Sequence, residues 1–100
     1  MTTSGDPEHD PRVALAECRE AIEELDRRII ALLAERIAVG KRTTALKQAA
    51  GLPILDPARE AEVIRRAVAT ARSHDIATEP VREIFWHIVG MSRRAQETPP

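Results

Sequence analysis

Arg36 stands where an apolar residue is expected. Leu15, Cys18, Ile22, Leu25, Ile29, Leu32, Arg36, Val39, Thr43 and Leu46 recur at spacings of three and four, the pattern of one covered helix face. A guanidinium on such a face is costly unless paired, so Arg36 implies a carboxylate partner, either in the protein or in a ligand. Lys47 lies 11 positions later, which at about 100° per residue returns to within roughly 20° of the same direction. Two cations on one face suit an anion. The plainer alternative is that Arg36 reaches a protein acid and Lys47 sits at a helix end, where cations are favoured. The chain holds 13 arginines and only two lysines, Lys41 and Lys47, which adds weight to a specific role for a lysine. Arg19, 17 positions before Arg36, points about 100° away, so it does not easily serve the same pocket from the same chain but could from an antiparallel partner; its plainer alternative is a solvated helix arginine.

A second group lies in Asp56-Pro57-Ala58-Arg59-Glu60. Asp56 and Pro57 are explained as a helix cap and a first-turn proline. Glu60 falls outside a capping box and has no base three or four positions on, whereas Glu62 has Arg65 and Arg66 there. Its structural alternative is favourable placement in the first turn of a helix. Ser92 and Gln96, four apart, continue an apolar stripe and face inward if their helix persists. Otherwise they belong to a fraying end.

Other chemistry lacks its residues. Cys18 is the only cysteine, so an internal disulfide and a thiolate metal cluster are excluded, and it reads as a small buried apolar residue. His9, His74 and His87 form no pair at metal-ligand spacing and no triad. Gly40, Gly51 and Gly90 stand singly, with no phosphate loop. A formal net charge of −1 gives no global field for nucleic acid. Met1 to Arg12 carry no apolar run resembling a signal peptide or anchor, so the expected location is the cytoplasm and no membrane partner is expected.

The elements that must position these residues are helices. With 43% apolar and 31% charged residues and only Phe85 and Trp86 aromatic, the chain has the composition of an all-α domain. Pro11 to Ala50 contain no further proline and predict a rod of nearly 60 Å, at about 1.5 Å per residue. Gly51-Leu52-Pro53 ends it. A short helix follows from Pro57 to about Arg72, with Val63, Ile64, Ala67, Val68 and Ala71 as its apolar face, and Ser73-His74-Asp75 breaks it. Thr78 can cap a third, with a stripe of Val81, Ile84, Phe85, Ile88, Ser92 and Ala95. Phe85 and Trp86 read as core or interface residues. Residues 1–11 are expected to be a disordered tail, 12–97 a single helical domain and 98–100 a frayed end. The long helix outruns what its own chain can cover, so a second copy should pack along it as an intertwined six-helix homodimer. The rival architecture is an extended coiled coil.

Together these residues resemble the AroQ-class chorismate mutases, over about Leu15 to Gln96 and with no insertion or deletion. The resemblance is carried by Cys18-Arg19-Glu20-Ala21-Ile22-Glu23-Glu24-Leu25-Asp26, by Leu32-Leu33-Ala34-Glu35-Arg36, by Lys47, by Asp56-x-x-Arg59-Glu60, and by Ser92 with Gln96. It implies two equivalent sites in an intertwined dimer and the rearrangement of chorismate to prephenate, in the shikimate pathway to phenylalanine and tyrosine, with no metal and no cofactor. It further implies that Arg36 and the partner subunit's Arg19 clamp the two substrate carboxylates. Lys47 and Gln96 would donate to the ether oxygen, Glu60 and the backbone near Asp56 would hold the ring hydroxyl, and Arg59 and Ser92 would complete the pocket. Some small members of the family depend on a partner synthase. Alternatives on the same scaffold are a 4-amino-4-deoxychorismate mutase and an isochorismate-pyruvate lyase. A non-catalytic helical assembly domain is the alternative of another class.

Overall fold

The computed structural model describes residues 10–97, which form helices α1 (Pro11–Ala50), α2 (Pro57–Ser73) and α3 (Thr78–Glu97). No strand occurs among the described residues, so the chain is all-α in the expected order of long, short and medium. Residues 1–9 and 98–100, where the tails were expected, lie outside the described residues. Helix α1 opens at Pro11 and runs to Ala50, the span that the proline-free stretch implied. The Asp10 carboxylate accepts the Arg12 N–H at 2.9 Å, which satisfies one of the unpaired first-turn donors, and its carbonyl accepts the first intrahelical bond, from the Ala14 N–H at 3.0 Å.

Both breaks after helices are Schellman turns, one of them built on glycine. After α1, Leu52 N–H donates to the Lys47 carbonyl at 2.8 Å and Gly51 N–H to Gln48 at 3.2 Å, with Gly51 at φ +70°. After α2, Ile76 N–H donates to Ala71 at 2.9 Å and Asp75 N–H to Arg72 at 3.2 Å, with Asp75 at φ +56°. The pattern is the same, but Asp75 enters the left-handed region with a side chain and Gly51 without one. Asp56 caps α2 as its sequence implied, accepting the Arg59 N–H at 3.0 Å, with Pro57 in the first turn.

The chain divides within α1 into two units, one ending at Ala34 and the other beginning at Glu35. The described part of the first unit is helix alone, with Leu15, Ile22, Leu25, Ile29 and Leu32 exposed. Cys18, read as buried, is exposed there because a lone helix buries nothing.

In the second unit, α2 packs on α3 and the core consists of Ile64, Ala67, Val68 and Ala71 with Val89. The α2 face is the expected one, with Val63 at its margin. On α3 the expected stripe is partly covered except at Ile84, which is 54% exposed, while Val89, outside that stripe, is the buried residue at 6%. Val81, Phe85, Ile88, Val89, Ser92 and Gln96 share the covered side, at spacings that a 3.6-residue period produces equally well. Trp86 lies 50% exposed on the opposite side, so in the single chain it is no core residue.

Candidate active site

The second unit holds a cavity of about 310 Å³. The end of α1 supplies Arg36, Val39, Gly40, Thr43 and Lys47, the following turn supplies Ile54, the start of α2 supplies Asp56, Arg59, Glu60 and Val63, and the end of α3 supplies Val89, Ser92, Arg93 and Gln96. Seven of the eight residues singled out from sequence are thus brought to one place. The eighth, Arg19, is exposed in the first unit, outside the group that lines the cavity.

Local structure explains how they meet. The Schellman turn after Ala50 reverses the chain, so Lys47 Nζ donates to the Ile54 carbonyl at 3.3 Å. The cap at Asp56 then starts α2 beside that turn and presents Glu60 one turn later. From the other side, the Ser92 hydroxyl accepts from Arg36 Nη1 at 2.7 Å. Gln96, one turn beyond Ser92, lies over Gly40: a methyl group built at Gly40 would stand 3.7 Å from Gln96 Nε2, an ordinary contact.

The charges separate into two kinds. Arg36 and Lys47 are both partly covered, and among the described residues neither has a carboxylate at ion-pair distance. Among the described residues, then, no acid holds Arg36, and its one side-chain partner there is the Ser92 hydroxyl. Arg59 and Arg93, by contrast, are matched. Arg59 Nη1 donates to Glu62 at 3.1 Å, and Glu62 also accepts from Arg66. Arg93 Nε donates to Glu60 Oε2 at 3.3 Å while its Nη2 donates to Oε1. Four cations against two carboxylates line the cavity, a formal surplus of two positive charges in a chain whose net charge is −1. Such a pocket draws a dianion.

Arg93 is the charged lining residue that the sequence did not single out. Glu60 had no local base to pair with, and its partner lies 33 positions away on another helix. The available signal was the placement of Arg93 beside Ser92 and three positions before Gln96.

A second opening, of about 600 Å³, adjoins Arg36 and Arg59 and runs over Ala67, Ala71, Ile76, Val81 and Phe85. Among the described residues no three His, Cys, Asp or Glu side chains are grouped to hold a metal, and no helix is long and apolar enough to cross a membrane.

Residues 18–97 match the family model for chorismate mutase type II. The chain is 31% identical over 83 residues to a chorismate mutase of Methanocaldococcus jannaschii, which covers 83% of this chain and 84% of that protein. A 49-residue stretch is 47% identical to part of a 3-dehydroquinate dehydratase of Pyrobaculum aerophilum, covering 49% of this chain but only 16% of that protein. With a family match across most of its described length, and a relative matched nearly end to end, the chain belongs to the chorismate mutase type II family.

Proposed function

We propose that the chain is a chorismate mutase, an isomerase that converts chorismate to prephenate in the cavity between Arg36, Lys47, Glu60 and Gln96. The observation that carries this reading is the pair of partly covered cations, Arg36 and Lys47, which among the described residues have no carboxylate at ion-pair distance, in a pocket with a surplus of two positive charges. Chorismate is a dianion whose rearrangement breaks an ether C–O bond as a C–C bond forms, within one molecule and with no group to accept or supply. A nucleophile or base is not required. What helps is confinement in the compact conformer and donors aimed at the ether oxygen as charge builds there.

Each residue then has a role. Arg36, oriented by Ser92, holds one substrate carboxylate through the rest of its fork. Lys47 and the Gln96 amide donate to the ether oxygen, and Glu60 accepts from the ring hydroxyl near the Asp56 backbone. Arg59 lines the wall.

The second carboxylate is assigned to the partner subunit's Arg19 in an intertwined homodimer. Support comes from α1, which has no buried residue while Ile22, Leu25, Ile29 and Leu32 are exposed, and from the apolar opening over α2 and α3. The reading places the enzyme in the cytoplasm, in the shikimate pathway to aromatic amino acids, with a partner synthase as a further possible associate.

Thermal melting with a dicarboxylate transition-state analogue tests the reading. A ligand that binds only the folded protein should raise Tm with concentration, adding about 2.7 kcal/mol at a hundredfold excess over Kd. A helical assembly domain would show no rise.

A further inference from the structure

We infer that Arg93 is a specificity-determining residue, which by pairing with Glu60 sets the pocket to take a neutral ring hydroxyl and to refuse a ring ammonium. The inference rests on the reading above, in which Glu60 faces the substituent on the substrate ring.

Arg93 lines the cavity from α3 and donates from two of its nitrogens to both oxygens of Glu60 on α2. A carboxylate offers about four acceptor positions, so positions remain on Glu60 for a donor from the substrate. Its charge, however, is already matched. A hydroxyl needs only an acceptor. An ammonium needs a counter-charge, and would find that counter-charge shared with a guanidinium that repels it. The other acid lining the cavity, Asp56, is a weaker counter-charge, since its carboxylate accepts the Arg59 N–H at the start of α2 and faces the positive end of that helix. The Glu60 side chain is 23% exposed and that of Arg93 44%, so the carboxylate is the less hydrated partner and water screens the site incompletely. A purely structural role, tying α2 to α3, would change stability upon mutation but leave the ratio of two substrates untouched.

The test compares kcat/KM for chorismate and for its 4-amino analogue in the wild type, Arg93→Lys and Arg93→Gln, each checked for helicity. The wild type should prefer chorismate by about tenfold or more. Arg93→Gln should narrow that preference by about tenfold, through a lower KM for the amino substrate, while Arg93→Lys, which keeps the charge, should retain most of it. A wild type that favours the amino substrate overturns the inference without any variant. A folded Arg93→Gln with an unchanged ratio also overturns it and leaves the mutase reading standing. Turnover of neither substrate by the wild type removes the mutase reading and the inference with it.

Discussion

Arg36 on α1 and Ser92 on α3, 56 positions apart in sequence, are joined by a hydrogen bond of 2.7 Å between guanidinium and hydroxyl. It occupies one arm of the fork and fixes the direction of the remainder. Ser92→Ala should keep the cation but release its aim. A hydrogen bond to a charged group contributes about 1.5–3 kcal/mol, so kcat/KM should fall by about ten- to a hundredfold, chiefly through KM. Steady-state kinetics beside a melting curve check this, and unchanged kinetics in a folded variant would mean that Arg36 is oriented by other contacts.

Lys47 donates to the Ile54 carbonyl at 3.3 Å and has no acid partner among the described residues, so its ammonium keeps donors for a ligand. If it meets the ether oxygen as charge develops, Lys47→Ala should lower kcat by about a hundredfold or more. A folded variant with full kcat contradicts that role. Glu35→Ala serves as the comparison, since Glu35 is exposed and lines neither opening, and should change kcat little.

The two Schellman turns predict stability changes of opposite sign. Gly51→Ala forces a side chain into φ +70° and should cost about 1–2 kcal/mol. Asp75→Gly relieves a side chain at φ +56° and should stabilise by up to about 1 kcal/mol. Denaturant unfolding at one fixed protein concentration measures both. Loss of stability in Asp75→Gly would mean that the Asp75 side chain contributes more than its backbone conformation costs.

What the sequence made legible was local. Proline and glycine marked the helix ends, Asp56 announced its cap, and the 11-residue spacing of Arg36 and Lys47 placed both on one wall of the cavity. What it concealed depends on how helices meet. The α3 face turned on Val89 rather than Ile84 because two neighbouring stripes share nearly the same periodicity, and contact with α2 chooses between them. The Glu60 and Arg93 pair, across 33 positions, obeys no spacing rule. The exposure of Cys18 and Trp86 reflects the same limit, since apolar patterning shows that a face should be covered but does not name what covers it.

If the partner subunit's Arg19 completes the site, Arg19→Ala and Arg36→Ala homodimers should each be nearly inactive. Mixed refolding should then yield heterodimers with one site holding both arginines and one holding neither. Activity per heterodimer should approach half of the wild type. With exchange verified by mass spectrometry, absence of recovery would place Arg19 and Arg36 in sites of one chain.

The most direct measurement is turnover itself, with the purified protein incubated with chorismate or with isochorismate and the products identified by NMR. Prephenate from chorismate is expected, at a kcat/KM about tenfold or more above that for isochorismate. The difference arises because Glu60 would lose its charge-assisted hydrogen bond to the differently placed hydroxyl. Folded protein that leaves chorismate unchanged, or that releases salicylate and pyruvate from isochorismate at the higher efficiency, would contradict the assignment.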